Sequence, residues 1–191
     1  MSARGRTHAG TSPPPVWTKN MQALGYIWGD VNPRDPHCEE IRTFLPGPVH
    51  GHGRFLVEFW RKRMQDDGFV VGRDLPSRHL SHALRNLSVL EPLDGGKDYR
   101  IRVAGMAMLR RFGHDVTGCD LSDVFSGAAF VERRSEISTM LASSTPYAVD
   151  VKIPTEEHRQ QHFEVVGVPA LSPDRKTAWA VMGVFYYDWL R

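Results

Sequence analysis

Three strand-like runs near the end of the chain constrain its fold more than any other feature. They read YAVDVKI at 147–153, HFEVVGVPAL at 162–171 and TAWAVMGVFYYDW at 177–189. The segment SPDRK lies between the last two runs and predicts a turn, because Pro173 presets a turn dihedral and Asp174 supplies a side-chain cap. We therefore expect these residues to form an antiparallel meander.

Two more strands are predicted upstream. In DYRIRVAG, apolar and charged residues alternate strictly, with Tyr99, Ile101 and Val103 on one face and arginines on the other. This pattern is typical of a half-buried strand. The run SVLEPL, ended by the turn DGGKD, precedes it and predicts its neighbour along the chain.

Three segments have apolar residues at helical spacing: FLVEFWRKRM, MAMLRRFG and VERRSEISTMLASS. In the second, Met106, Leu109 and Phe112 share a face, and Gly113 ends the helix. The order of elements is helix, strand, strand, short helices, longer helix and three strands. This order predicts an α+β fold.

Length and charge bound the possible functions. The 191 residues fit one domain with a tail. Twenty-four Lys and Arg stand against 22 Asp and Glu, so a formal charge of +2 creates no strong field for nucleic acid or anionic lipid. We found no apolar run of the kind that a secretory signal or a membrane span requires. We expect a soluble, cytoplasmic protein that does not bind nucleic acid.

The beginning of the chain differs from the rest. Residues 1–15 are small, polar and proline-rich, and we expect them to be disordered because they bury too little apolar area. Prolines also break the following residues, so we predict an N-terminal extension over 1–52 and a domain over 53–191. Cys38 and Cys119 are the only cysteines, too few for a disulfide framework, and we expect reduced thiols.

These elements resemble the PAS superfamily, and more closely a bacterial subfamily of proteins with a single PAS domain. The likeness is carried by FLVEFWRKRM followed by LPSR at 75–78, by DYRIRVAGMAMLRRFGHDVTGCDLSDVF at 98–125 and by VMGVFYYD at 181–188. It implies a five-stranded antiparallel sheet with helices on one face, preceded by an amphipathic helix. HLSHALRN stands where the family usually has an Asp and a Pro, and Cys119 stands where an Arg is commoner.

The segment GHDVTGCDLSDVF at 113–125 is interpreted as a linker. Its glycines supply backbone freedom, Thr117 and Asp120 offer capping oxygens, and its apolar side chains should be buried. These apolar residues are Val116, Leu121, Val124 and Phe125.

Metal binding and nucleophilic catalysis are the alternatives to that interpretation. His114 and Cys119 lack the second ligand pair of a zinc site, and nothing in the sequence orients them as a nucleophile and its base. In HGHG, His50 and His52 lie on the same side of an extended chain near His37 and Cys38, where labile metal capture or a solvated glycine loop would fit. The interpretation that we favour is that no metal site is present.

The resemblance also bears on cofactors. Flavin-binding PAS domains place a reactive cysteine in an Asn-Cys-Arg context after this linker, whereas Cys119 stands earlier, in GCDLS. Haem-binding PAS domains take an axial histidine from the long helix, and residues 131–144 contain none. His79, His82 and His114 stay open as haem ligands. The cofactor is therefore unknown.

Paired arginines occur twice, at 110–111 and at 133–134. Arginine pairs suit phosphate, but Glu132 and Glu136 lie nearby on the same predicted helix. We therefore favour solvated ion pairs over phosphate contacts.

In a PAS domain the ligand lies between the long helix and the sheet, and here that space should be apolar with flexible methionines. A small, mostly hydrophobic ligand and a fully packed core both fit this lining. Both faces of the last strand are apolar, so the amphipathic helix of the same chain or of a second subunit must cover the outside, and we predict a homodimer. The predicted ligand-binding residues are Leu109, Phe112, Ile137, Met140, Leu141, Phe163, Val165, Val181 and Phe185.

Three functions stay open. The resemblance implies a stand-alone sensory or regulatory domain that binds a small apolar ligand, a signalling protein or both, and that signals through its N-terminal helix. A protein-interaction scaffold without a ligand is the second. The third, which the glycine-rich setting disfavours, is a small α+β enzyme that uses His114 with Asp115 or Asp123 as acid and base.

Overall fold

The computed structural model describes residues 40–154 and 160–187. They form an antiparallel sheet with helices packed on it, which confirms the predicted α+β class. The helices are α1 Gly51–Asp66, α2 Ser81–Leu84, α3 Met106–Phe112, α4 Leu121–Val124 and α5 Gly127–Ser143, with a 3₁₀ turn at Arg78–Leu80. The strands are β1 Ile41–Leu45, β2 Leu87–Leu93, β3 Asp98–Val103, β4 Tyr147–Pro154, β5 Gln160–Leu171 and β6 Ala178–Tyr186.

The sheet has the strand order β1-β4-β5-β6-β2-β3, and its neighbouring strands are antiparallel. Strands β4, β5 and β6 are successive neighbours, so the predicted meander is confirmed. The described part of the chain contains six strands rather than the expected five. The additional strand is β1, which pairs with β4 from Ile41 opposite Lys152 to Leu45 opposite Ala148.

Strand β1 lies within the predicted N-terminal extension. Proline-broken segments flank it, and its partner strand lies far along the chain, so no local pattern marks it. The predicted division between extension and domain at residue 52 stays a prediction. The expected disorder at 1–15 lies outside the described residues.

Helices cover both faces of the sheet. We call the face under α3, α4 and α5 the inner face, and its buried core includes Ile101, Val149 and Ala180. The outer face packs against α1 and α2, where Leu56 and Trp60 are buried. Because α1 of the same chain supplies this cover, the outer face of the sheet does not need a second subunit to shield it.

The linker between α3 and α5 matches its interpretation. Val116, Leu121, Val124 and Phe125 are all buried, as predicted. Asp120 forms a capping box with Asp123 at the start of α4. Gly113 and Gly118 have φ of 71° and 85°, a left-handed conformation that favours glycine.

Helix α3 is turned relative to the face predicted for it. Met106 is exposed, whereas Ala107, Met108 and Arg111 are buried. An apolar pattern cannot predict a buried arginine, because its burial depends on a carboxylate brought from elsewhere in the chain.

Candidate functional site

A cavity of about 70 Å³ lies between α5 and the inner face of the sheet. One water molecule requires about 10–15 Å³ of such space, so the cavity has room for on the order of five water-sized groups. We call it the inner cavity. Its apolar lining consists of Leu90, Met108, Leu121, Phe125, Ile137, Phe163, Val165, Met182 and Val184.

Three of the predicted ligand-binding residues, Ile137, Phe163 and Val165, line the inner cavity. Met140 is buried in the inner core beside them, and Phe112 and Leu141 pack partly against that core. Leu109 is half-buried on α3 and is not part of the lining.

Val181 and Phe185 are on the other side of the sheet. Both are buried in the outer core, and the expectation that they face the long helix is wrong. Cross-strand partners share a face, and Phe163 is opposite Tyr186 in the register of β5 with β6. The inner residues of β6 are therefore Met182 and Val184. The sequence shows that β6 alternates, but only this register determines which set meets α5.

Four charged side chains, Arg42, Arg111, Arg133 and Glu136, line the inner cavity. Glu40 pairs with all three of these arginines and completes a group of five. We call them the arginine cluster, and all are between 6% and 13% exposed. Glu40 Oε2 accepts a hydrogen bond from Arg133 Nη2 at 2.6 Å, and its Oε1 accepts one from Arg111 Nη2. Glu136 accepts from Arg42 Nη2 at 2.8 Å and from Arg133 Nη1 at 3.2 Å. The cluster therefore joins β1, α3 and α5.

The arginines of the cluster favour the ionised form of Glu40. Burial, the largest influence, disfavours the charged form of Glu40, but Arg111, Arg133 and Arg42 together hold the pKa of its carboxyl below the ordinary value. Burial and the neighbouring Arg133 lower the pKa of the Arg42 guanidinium, which Glu136 partly offsets. Buried charges of this kind persist only when paired, so each side chain depends on the others.

Arg111 is incompletely paired. Its Nε is buried and has no hydrogen-bond partner among residues 40–154 and 160–187, although the guanidinium group carries five donors. The guanidinium carbon lies 5.2 Å from the ring centre of Phe163 and 5.7 Å from that of Phe125, and both rings line the inner cavity. Arg111 therefore presents positive charge among the aromatic residues of the lining.

Tyr147 on β4 lines the cavity beside the cluster. Its hydroxyl donates to Met182 Sδ at 3.8 Å. Burial raises the pKa of the Tyr147 phenol, and Glu136 raises it further, so the group stays a neutral donor. The inner cavity is therefore lined mainly by apolar side chains, with the arginines and the Tyr147 hydroxyl at one end.

The prediction from the sequence did not include the buried arginine cluster. Arg111 and Arg133 do form ion pairs, but these are buried rather than solvated as predicted. The nearest local signal is Glu136, which stands three residues after Arg133 on α5 and pairs with it. Glu40 and Arg42 carry no such signal, because strand pairing alone brings β1 to this position.

The residues considered as acid and base, His114, Asp115 and Asp123, form hydrogen bonds with backbone groups of the linker. His114 Nδ1 lies 2.8 Å from the carbonyl oxygen of Phe112, Asp115 accepts from Thr117 N at 2.9 Å, and Asp123 accepts from Asp120 N at 3.3 Å. All three side chains belong to exposed residues. Their contacts explain the turns of the linker without invoking a reaction.

The histidines considered as metal or haem ligands lie at several places in the fold, and of those described only His50 and His52 are in contact, with ring centres 5.2 Å apart. His50 stacks on Phe185 at 5.3 Å and accepts a hydrogen bond from His52 N, while His37 and Cys38 lie outside the described residues. His79 and His82 are exposed on the 3₁₀ turn and α2. Within residues 40–154 and 160–187, three or more His, Cys, Asp or Glu nowhere gather in a group suited to a metal ion.

Comparisons with known proteins give one family. A family model described as PAS domain matches residues 49–186. No curated protein matches the chain. Among the helices that the structure describes, none combines the length and apolar character needed to cross a membrane.

Proposed function

The chain belongs to the PAS domain family, whose members are sensory and regulatory signalling domains, and on that premise we propose that it binds a small, mostly apolar ligand in the inner cavity. The observation that carries the proposal is the cavity of about 70 Å³ with its apolar lining. Ile137, Phe163 and Val165 are the predicted residues that would contact the ligand. The proposed output is contact with a signalling protein, without catalysis.

A route from the cavity to the N-terminal helix supports this proposal. Phe163 lines the cavity, and the next residue, Glu164, points to the outer face of β5. Glu164 accepts hydrogen bonds from Val49 N at 2.8 Å and His50 N at 3.0 Å, at the start of α1. A ligand that shifts β5 at Phe163 would therefore move the anchor of α1.

The proposal also includes a homodimer formed through α1. Phe55 on this helix is 42% exposed. An apolar side chain exposed on a helix favours association, because burying it against a partner gains hydrophobic free energy.

Native and denaturing mass spectrometry of the purified full-length protein tests ligand binding. We expect a small molecule that adds mass in the native spectrum and is lost on denaturation. The variant Val184→Phe should abolish this mass, because it fills the cavity from β6. Val131→Phe, at an exposed position of α5, is the control and should retain the ligand. A wild-type spectrum without added mass after growth in rich medium would count against the proposal.

A further inference from the structure

Three arginines converge on the carboxylate of Glu40. Its Oε1 is held by Arg111 Nη2, and its Oε2 by Arg133 Nη2 at 2.6 Å and, more loosely, by Arg42 Nη1 at 3.5 Å. Planar guanidinium groups match the geometry of a carboxylate and are the usual means of binding one in a protein. The arrangement is therefore that of a carboxylate-binding site, occupied by a side chain of the same chain.

The site has unused capacity for negative charge. The arginine cluster contains three arginines and two glutamates, which leaves one positive charge in excess among the described residues. Glu132 also approaches Arg133, at 3.5 Å, but its side chain is 60% exposed and is therefore screened by water. Arg111 retains a buried Nε that no group in the described part of the chain accepts from, and the residue is 9% exposed. A buried donor of this kind gains from any acceptor that reaches it.

The position of Glu40 makes it replaceable. It directly precedes β1, which is an edge strand that pairs with β4 alone in the described sheet. Displacing it disturbs the end of one edge strand, whereas displacing Glu136 would disturb α5 in the middle of the helix.

We propose that the arginine cluster recognises the carboxylate of a short-chain organic acid whose apolar tail occupies the inner cavity, and that Glu40 is the internal carboxylate displaced by this ligand. The inference rests on the proposed function and specifies its ligand class. A tail of about five carbon atoms fits the space for on the order of five water-sized groups. Displacement of Glu40 would loosen β1 from β4, which gives the ligand a conformational effect.

Isothermal titration calorimetry with sodium hexanoate and with hexanamide tests the inference. The two probes share a chain length and differ in charge. We expect hexanoate to bind the full-length wild-type protein at least about tenfold more tightly than hexanamide, because charged hydrogen bonds are stronger than neutral ones. Hexanamide binding as tightly as hexanoate would overturn the inference and leave the proposed function in place.

The variant Glu40→Gln tests competition by a gain of affinity. Without the internal carboxylate, hexanoate should bind about tenfold more tightly than it binds the wild type, while hexanamide binding should not change. Glu132→Gln removes the same charge from an exposed position near Arg133 and should leave both affinities unchanged. Equal hexanoate affinity in Glu40→Gln and the wild type would contradict the displacement of Glu40.

Hydrogen exchange gives an independent readout of β1. Hexanoate should increase amide exchange in Ile41–Leu45 of the wild type and leave the pairing of β2 with β3 unchanged. Unchanged exchange in β1 at saturating hexanoate would overturn the displacement step. Absence of hexanoate binding would overturn the inference as a whole, and the native mass spectrum then decides separately whether the proposed function survives.

Discussion

At Gly167, the sheet leaves no room for a side chain. A Cβ atom there would lie 2.5 Å from Tyr147 Cε1 and 2.9 Å from Met140 Sδ. Gly167 is opposite Tyr147 in the register of β4 with β5, so the ring that lines the inner cavity lies over the glycine. A single glycine thus determines where Tyr147 can lie.

Gly167→Ala should lower the free energy of unfolding by about 1–3 kcal/mol, because the added methyl group overpacks a buried contact. Urea denaturation followed by tryptophan fluorescence, to which the buried Trp60 contributes, measures this change. Gly47→Ala is the matched control, since a Cβ there meets no atom of the described residues within 4 Å. It should change stability by no more than about 0.5 kcal/mol. Similar values for both variants would show that the contact with Tyr147 does not restrict this position.

Arg111 and Val181 show what residue-scale reasoning could and could not predict. The apolar alternation of β6 was readable from the sequence, and so was the burial of residues such as Val116. Only the register of β6 with β5 determines on which face of the sheet Val181 lies. The burial of Arg111 required Glu40, a residue 71 positions away in the chain.

At the scale of elements, hydrogen bonds attach α1 to the sheet at two points, near the middle of the helix and at its start. Trp60 Nε1 donates to the carbonyl oxygen of Pro169 at 2.8 Å near its middle. At its start, the fully buried Glu164 accepts from Val49 N, from His50 N and from the Tyr187 hydroxyl at 3.1 Å. The N-terminus of α1 also attracts the Glu164 carboxylate, because a helix N-terminus carries partial positive charge.

Glu164→Ala should lower the free energy of unfolding by about 2 kcal/mol, because hydrogen bonds to a charged acceptor are lost. It should also increase amide exchange in the first turn of α1. Chemical denaturation and hydrogen exchange measure the two effects. Glu58→Ala, at an exposed position of the same helix, serves as the control. Equal effects of the two substitutions would mean that Glu164 does not anchor α1.

At the scale of the whole molecule, the inner cavity and α1 lie on opposite faces of the same sheet. Phe163 and Glu164 are neighbours in β5 and point to these two faces. A sheet couples its faces in this way because successive side chains alternate. This coupling is the physical basis of the proposed signal from ligand to helix.

Sedimentation velocity at micromolar to high micromolar concentration tests the proposed homodimer. We expect the wild type to sediment as a dimer and the variant Phe55→Glu as a monomer, because a charge at this exposed position of α1 opposes apolar contact there. Val131→Glu places a charge at an exposed apolar position of α5 and should remain dimeric. A wild-type protein that stays monomeric at high micromolar concentration would contradict the dimer.

The sequence by itself determined the α+β class, the meander of β4 to β6, the helical segments and the buried residues of the linker. These features depend on local periodicity and on turn residues, which a short stretch of chain displays. The tertiary structure alone decided the sixth strand, the inner set of residues on β6 and the burial of the arginine cluster. Each depends on partners brought together from distant parts of the chain, and strand register and charge pairing leave no periodic trace in the sequence.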